Sequence, residues 1–192
     1  MKHLVIATTN PGKTHEVRLA LSDLPDWSVE PMPAGLPPAD ETGEDFIEIA
    51  SRKASYYSRL VRGLTLADDS GLCVRALANR PGIHSARYGS SAGDRSRQLL
   101  TELKTFGSSD RAAAFFCALA VGEDGTVLWT VQTQLDGQIA MQPAGTSGFG
   151  YDPVFFVPEL GKTLGELTAG EKNQISARGR ALIALRKFLA TY

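Results

Sequence analysis

Four short stretches of this chain hold residues whose types and spacing could do chemistry. The first is Thr8-Thr9-Asn10-Pro11-Gly12-Lys13. An apolar run precedes it and a helical pattern comes after it, so it reads as a strand–turn–helix junction. Such a junction offers an anion backbone N–H groups and the positive end of a helix dipole. Gly12 allows close approach of the backbone, Lys13 adds a full charge, and the Thr and Asn side chains add donors. Gly12-Lys13-Thr14 also matches the end of the pattern G-x-x-x-x-G-K-[ST], but Ala7 stands where its first glycine belongs. An ordinary capped turn is the alternative.

The second stretch is Ala67-Asp68-Asp69-Ser70-Gly71. Side chains alternate along a strand, so two adjacent carboxylates at the end of a buried strand cannot both reach water. Desolvated like charges repel, and at least one needs a cation. Mg²⁺ takes one or two carboxylates and fills its shell with water and phosphate oxygens. Glu41, just before a long helical pattern, is a candidate additional ligand. Asp-Asp-Ser-Gly is equally a good turn sequence.

The third is Gly145-Thr146-Ser147-Gly148-Phe149-Gly150-Tyr151-Asp152-Pro153. Three glycines around two aromatics suggest a backbone passing close to something flat, and a purine stacked on Phe149 would fit. Alternatively the aromatics plug the core. The fourth is Glu171 to Arg178. Lys172 and Arg178 do not share one face of a regular helix, but both could touch a ligand if the helix start borders a pocket; a solvated helix face is the alternative. His3, His15 and His84 lack metal-ligand spacing. No Gly-x-Ser-x-Gly elbow is visible. Arg87 reads as structural or dimer-forming.

Periodicity supplies the elements that must position these groups. Leu4 to Ala7 is a short buried strand, 13–24 a helix, and Val29 part of a second strand. Residues 31–43 hold Pro31, Pro33, Pro37 and Pro38 and form a loop that delivers Asp40-Glu41 to the next element. A helix over 44–62 has Phe46, Ala50, Tyr57 and Val61 as its apolar stripe. Lys53 falls on that stripe, where a lysine needs a partner or a job. Leu64 to Ala67 is a strand leading into the acidic pair. Residues 78–93 are irregular, and 94–106 is a helix. Residues 112–121 and 127–135 form a hairpin turning at Glu123-Asp124-Gly125. Thr168-Ala169-Gly170-Glu171 is a capping box for one last helix, buried through Ile175, Leu182, Leu185 and Leu189. Early strand–helix alternation and a late hairpin give an α/β fold with a mixed sheet flanked by helices. No repeat or linker divides the 192 residues, so one domain over 1–192, with two lobes, is expected.

Composition bounds the class. A formal charge of -1, from 20 basic and 21 acidic residues, argues against a dedicated nucleic-acid binder. Cys73 and Cys117 lie in apolar runs and read as buried free thiols. The N-terminus turns polar too soon for a signal peptide, and no run nears the roughly 20 apolar residues of a membrane helix. No membrane partner and a cytoplasmic location are the expectation.

The combination resembles the inosine triphosphate pyrophosphatase family. The resemblance rests on Ala7 to Lys13 with Glu16, Glu41-Thr42-Gly43 with Phe46-Ile47-Glu48, and Lys53-Ala54. It continues through Ala67 to Leu72, Pro81-Gly82-Ile83, Ser85 to Tyr88, Gly148 to Pro153, and Glu171-Lys172-Asn173. It covers nearly the whole chain. It implies an elongated, two-lobed homodimeric α/β protein with its active site in the cleft between lobes. It also implies Mg²⁺-dependent hydrolysis of the purine nucleoside triphosphates ITP, dITP and XTP to monophosphate and pyrophosphate, cleansing the nucleotide pool. By position, Thr8, Thr9, Asn10, Pro11, Gly12 and Lys13 hold the triphosphate, and Lys53 faces it. Glu41 and Asp69 are metal-binding positions, Asp69 also the proton acceptor, and Ser70 touches substrate. Phe149, Gly150, Tyr151, Asp152 and Lys172, then Ala177 and Arg178, line the base and sugar pocket.

Three departures stand out. Ala177 replaces the histidine of the family's Ser-His-Arg, which helps read the purine 6-oxo group. Ile49 replaces a usual asparagine, and Arg75 a common acid. Two other functions compete: a P-loop-like kinase or ATPase with Leu64 to Asp69 as its acidic strand, and a nucleotide-binding sensor without catalysis. The missing first glycine and the unexplained Gly148 to Pro153 segment count against the kinase.

Overall fold

The computed structural model describes residues 1–105 and 110–192. Seven strands form one sheet in the order β2-β1-β3-β4-β5-β6-β7. They are β1 (Lys2–Ala7), β2 (Trp27–Pro31), β3 (Leu64–Val74), β4 (Ala112–Glu123), β5 (Thr126–Ile139), β6 (Phe155–Val157) and β7 (Lys162–Thr163). The helices are α1 (Pro11–Ala20), α2 (Phe46–Tyr57), α3 (Ala92–Thr105), α4 (Ala169–Ile175) and α5 (Ala177–Thr191). The sheet is mixed: β1 runs parallel to β2 and β3, while β6 runs antiparallel to β5 and β7. The expected α/β class holds. Among the described residues, no helix is long and apolar enough to cross a membrane.

The chain forms two compact units. The first comprises residues 1–69, 117–133 and 178–192. Its centre is β1, where Leu4 and Ile6 are buried, beside Leu64 and Leu66 of β3. Val17 and Leu21 of α1, Ile49, Ala50 and Ala54 of α2, and Leu182, Leu185 and Leu189 of α5 are buried too. Helix α1 is shorter than expected, because Leu21 already has non-helical dihedrals. Helix α2 starts later and stops earlier than the 44–62 span. Asp45 caps its first turn, its side chain accepting from Glu48 N, and the last turn loosens at Ser58. The hairpin turn is Asp124-Gly125, with φ of 49° and 84°. Two consecutive positive φ values give the turn whose twist matches the flanking strands.

The second unit comprises residues 70–116 and 134–177. Leu72, Val74, Leu99, Leu103, Val154, Phe155 and Leu164 are buried in it, and the Phe115 and Phe155 rings lie 4.7 Å apart. Helix α3 begins at Ala92, with Ser91 Oγ accepting from Asp94 N at 3.1 Å. The expected end of that helix at Phe106 lies outside the described residues. Cys117 is a buried free thiol as expected, but Cys73 is only half-buried.

Two corrections bear on the site. The acidic pair does not end a strand at Ala67: β3 continues through Asp68 and Asp69 to Val74. The last helix is also not continuous. The Thr168–Glu171 capping box forms, but Ser176 takes an extended conformation (φ -62°, ψ 157°). Lys172 and Arg178 therefore belong to separate helices.

Candidate active site

Register explains how the first unit gathers its charged groups. In the parallel pair β1 and β3, Ala7 pairs with Ala67. The Thr8–Lys13 turn therefore leaves the carboxyl end of β1 beside Asp68, which lies within β3, and carboxyl ends of strands are where open α/β sheets build their sites. Asn10 caps α1: its Oδ1 accepts from Gly12 N at 2.9 Å and Lys13 N at 3.3 Å. Thr8 Oγ1 accepts from Asn10 N. The turn thus already engages two N–H groups that the sequence leaves open for an anion. The Lys13 ammonium beside it is paired with Asp68. Thr9 is exposed, as is Pro11 at the first helical position.

Asp68 is the hub of a buried ion cluster. Its carboxylate pairs with Lys13 through Oδ1 and with Arg178 Nε through Oδ2 at 2.8 Å. Arg178 Nη1 reaches Glu16 Oε2 at 2.6 Å. The Cys117 thiol lies 3.4 Å from Asp68 Oδ2. Burial pushes the Asp68 carboxyl up, but Arg178 and then Lys13 more than reverse this and hold it well below the usual carboxylate range. Burial, reinforced by Asp68, pushes the Cys117 thiol far up, so it stays a neutral donor. Two acids and two bases cancel within this cluster.

Asp69 has the opposite environment. Burial is the largest influence, and Lys13 and Lys53 only partly offset it, so its carboxyl is pushed up to about 6. Lys53 Nζ sits 3.8 Å from Asp69 Oδ1 and 3.1 Å from Glu41 Oε1, and donates to the Asp68 carbonyl at 2.9 Å. The buried Lys53 thus has both a partner and a position. Asp69 Oδ2 is buried without a hydrogen-bond partner among the described residues.

These residues fit a divalent cation. Glu41 and Asp69 against Lys53 leave one negative charge, and Asp69 Oδ2 is buried without a hydrogen-bond partner among the described residues. Among the described residues no cluster of three or more His, Cys, Asp or Glu could hold a metal. An ion here would draw its other ligands from water and substrate, which is the habit of Mg²⁺. Ser70 comes after Asp69 in β3, half-buried.

The second unit holds the other predicted residues. Asp152 Oδ2 accepts from Phe149 N and from Lys172 Nζ, each at 2.6 Å. The Lys172 ammonium also lies 4.5 Å from the Phe149 ring centroid. Gly148 makes this clamp possible: its φ is +73°, and a Cβ there would fall 2.1 Å from Asp152 Oδ2. Gly150 also takes a positive φ, of 65°. Tyr151 is buried and its hydroxyl donates to Ser85 O at 3.1 Å, so it anchors the loop to the core. Ala177, buried, opens α5.

Sequence reasoning named Glu16 only as part of the family motif and Cys117 only as a buried thiol, and gave neither a place beside Asp68. Glu16 had a readable signal: it stands four residues before Ala20 and beside Val17, a charge on the inward face of α1, just as Lys53 is on α2. Cys117 had none, since a thiol in an apolar run looks the same whether or not it meets a carboxylate.

The first unit thus holds a turn with an ammonium and a carboxylate with an unpartnered oxygen, and the second holds an aromatic–lysine clamp. The Ham1 family model matches residues 4–188. A dITP/XTP pyrophosphatase of Gloeobacter violaceus is 44% identical over 99% of this chain and 94% of its own length. One of Yersinia pseudotuberculosis is 45% identical over 95% of each. Among solved structures, a HAM1 protein from Coxiella burnetii superposes with a TM-score of 0.90 at 37% identity, covering 100% of both chains. The Staphylococcus aureus Ham1 protein gives 0.86 at 35%, over 99% of both. The chain belongs to the Ham1 family.

Proposed function

We propose that this chain hydrolyses the purine nucleoside triphosphates dITP, XTP and ITP to the monophosphate and pyrophosphate. Relatives named dITP/XTP pyrophosphatase at 44–45% identity over nearly the full length support the reaction class. The observation that carries the chemistry is Asp69. It is a half-buried carboxylate poised near neutrality, with one unpartnered oxygen, flanked by Glu41 and two lysines. The whole of 1–192 acts as one catalytic domain, in keeping with the span of the family match.

In the mechanism, water attacks the α-phosphorus and the bond to the bridging oxygen breaks, releasing pyrophosphate. Asp69 accepts the proton of the attacking water. A base with a pKa near the working pH is the efficient choice. Lys13 and Lys53 offset charge that grows on the phosphate oxygens. The Asn10 amide and the hydroxyls of Thr8, Thr9 and Ser70 orient the phosphates. Gly12 and Pro11 keep that turn close and rigid. Glu41 and Asp69 would hold Mg²⁺, which when bound neutralises phosphate charge and acidifies water.

At the base end, the purine stacks on Phe149, and Lys172 with backbone groups of Gly150 to Asp152 reads its polar edge. Ala177 and Arg178 belong to the base pocket by the family resemblance, and Asp68 and Glu16 fix the Arg178 guanidinium. Donors aimed at a 6-oxo group face an amino group when adenine enters. Each such buried mismatch costs about 1–3 kcal/mol. Homodimer formation belongs to the same proposal and rests on the family resemblance.

The test is product analysis over ITP, dITP, XTP, GTP, ATP and dUTP. Pyrophosphate release favouring the first three is expected. Orthophosphate from ATP, or phosphoryl transfer, would instead mark a kinase or ATPase. Binding with no product would mark a sensor.

A further inference from the structure

Glu41 is exposed and sits in a long loop with no regular structure, between Pro31 at the end of β2 and Phe46 at the start of α2. A carboxylate there must be brought to Lys53 and Asp69 by something other than a helix or strand. The loop leaves β2 with Met32 N donating to Ile6 O at 3.1 Å. Among the described residues, the next backbone group of the loop with a hydrogen bond is Ala39 N. It donates to the hydroxyl of Tyr57, at 3.1 Å. Tyr57 is buried and packs edge-on against Tyr56.

Tyr57 lies four residues after Lys53, so the two project from the same face of α2. One helix face thus holds the loop twice. Tyr57 grips the backbone two residues before Glu41, and Lys53 meets the Glu41 carboxylate itself at 3.1 Å. Beyond Glu41, Thr42 N and Oγ1 donate to Asp40, Arg52 Nη1 of α2 donates to Thr42 Oγ1 at 3.2 Å, and Glu44 N donates to Glu48. At Gly43 the loop passes so close to α2 that a Cβ would fall 2.7 Å from Ile49 Cγ1. Ile49 fills space there but cannot hydrogen-bond. Among the described residues, the side chain of α2 that holds the loop backbone upstream of Glu41 is therefore that of Tyr57, through its hydroxyl.

We infer that Tyr57 is a positioning residue for Glu41: its hydroxyl, through Ala39 N, sets the loop so that Glu41 stands beside Asp69 as a cation ligand. This rests on the proposed reading of Glu41 and Asp69 as metal-holding residues. Tyr57 touches neither substrate nor metal and takes no part in proton transfer. Removing its hydroxyl loosens a ligand without removing it. The effect should appear in metal affinity and not in the rate at metal saturation.

The test compares Tyr57→Phe with Glu41→Gln in the full chain. Mn²⁺ binding to the substrate-free protein is measured by electron paramagnetic resonance, and ITP hydrolysis is followed across a Mg²⁺ titration. One hydrogen bond of ordinary strength corresponds to about a threefold to tenfold effect. Tyr57→Phe is expected to weaken Mn²⁺ binding and raise the half-saturating Mg²⁺ by that factor, with kcat at saturating Mg²⁺ within about twofold of the parent. Glu41→Gln should weaken Mn²⁺ binding at least as much. If Glu41→Gln weakens it and Tyr57→Phe does not, the positioning role is wrong while the metal reading stands. If Glu41→Gln leaves Mn²⁺ binding unchanged, the metal reading of Glu41 is wrong and this inference goes with it. A lower kcat at saturating Mg²⁺ in Tyr57→Phe would show a general structural role and overturn the inference.

Discussion

Asp68 and Asp69 are joined by one peptide bond in β3, yet Asp68 Oδ2 lies 2.8 Å from Arg178 Nε while Asp69 Oδ2 is buried with no partner among the described residues. The first carboxylate is locked ionised by its neighbours. The second has its proton affinity raised to about 6 by burial. The two neighbours therefore sit in opposite electrostatic environments.

Asp69→Asn should cut turnover sharply and keep the fold. General bases contribute about a hundredfold to ten-thousandfold, so kcat for ITP is expected to fall within that range. Circular dichroism and melting should match the parent. Near-normal turnover would remove the role assigned to Asp69.

The same carboxylate gives a pH and metal-removal prediction. Its folded value of about 6 exceeds the ordinary 3.8. Its contribution to stability is therefore complete below about 4 and is lost as pH rises through 6. In excess chelator, the parent should lose stability relative to Asp69→Asn between pH 4 and 7, on the order of 1–3 kcal/mol. Urea denaturation of both proteins at pH 4.5 and 7.5 checks it, and parallel pH curves would contradict it.

Asp68→Asn should behave differently. It strands Arg178 and Lys13 beside a neutral amide, and breaking a buried ion pair costs about 3–5 kcal/mol. The depressed Asp68 carboxyl contributes stability above its ordinary value, lost only as pH falls far below it. Denaturant midpoints at pH 7 should show the deficit in full. A variant as stable as the parent there would mean that the cluster holds nothing in place.

Phe149→Ala removes the proposed stacking face. Base–aromatic stacking is worth about 1–3 kcal/mol, so KM for ITP should rise roughly tenfold to a hundredfold with kcat little changed. An unchanged KM would place the base elsewhere.

Ala177→His restores a ring at a buried position at the start of α5. The expected outcome is a larger ITP-over-GTP ratio in kcat/KM, accompanied by a stability cost of about 1–3 kcal/mol from overpacking. An unchanged ratio would assign base reading to Arg178 and backbone groups.

The sequence carried the fold class, because strand and helix periodicities differ and the turns were marked by Asp124-Gly125 and by the prolines of the Glu41 loop. It placed Lys53 correctly as a buried cation needing partners. It misjudged the acidic pair as a strand terminus, since Asp in a strand runs against propensity and only the partners Arg178 and Lys13 make it tolerable. It joined α4 to α5 because Ser176 is locally acceptable in a helix, and its extended backbone reflects tertiary context. It left the Gly12 and Lys13 N–H groups open, because a cap is invisible until the Asn10 rotamer is known.

The balanced cluster of Glu16, Arg178, Asp68 and Lys13 also constrains how this protein can diverge. Any single charge-removing change there strands a buried ion, so each intermediate sequence is penalised before a compensating change arrives. These four positions, drawn from α1, β3 and α5, should drift in pairs or not at all. The Asp68→Asn, Arg178→Met double variant should accordingly recover part of the stability that either single change loses.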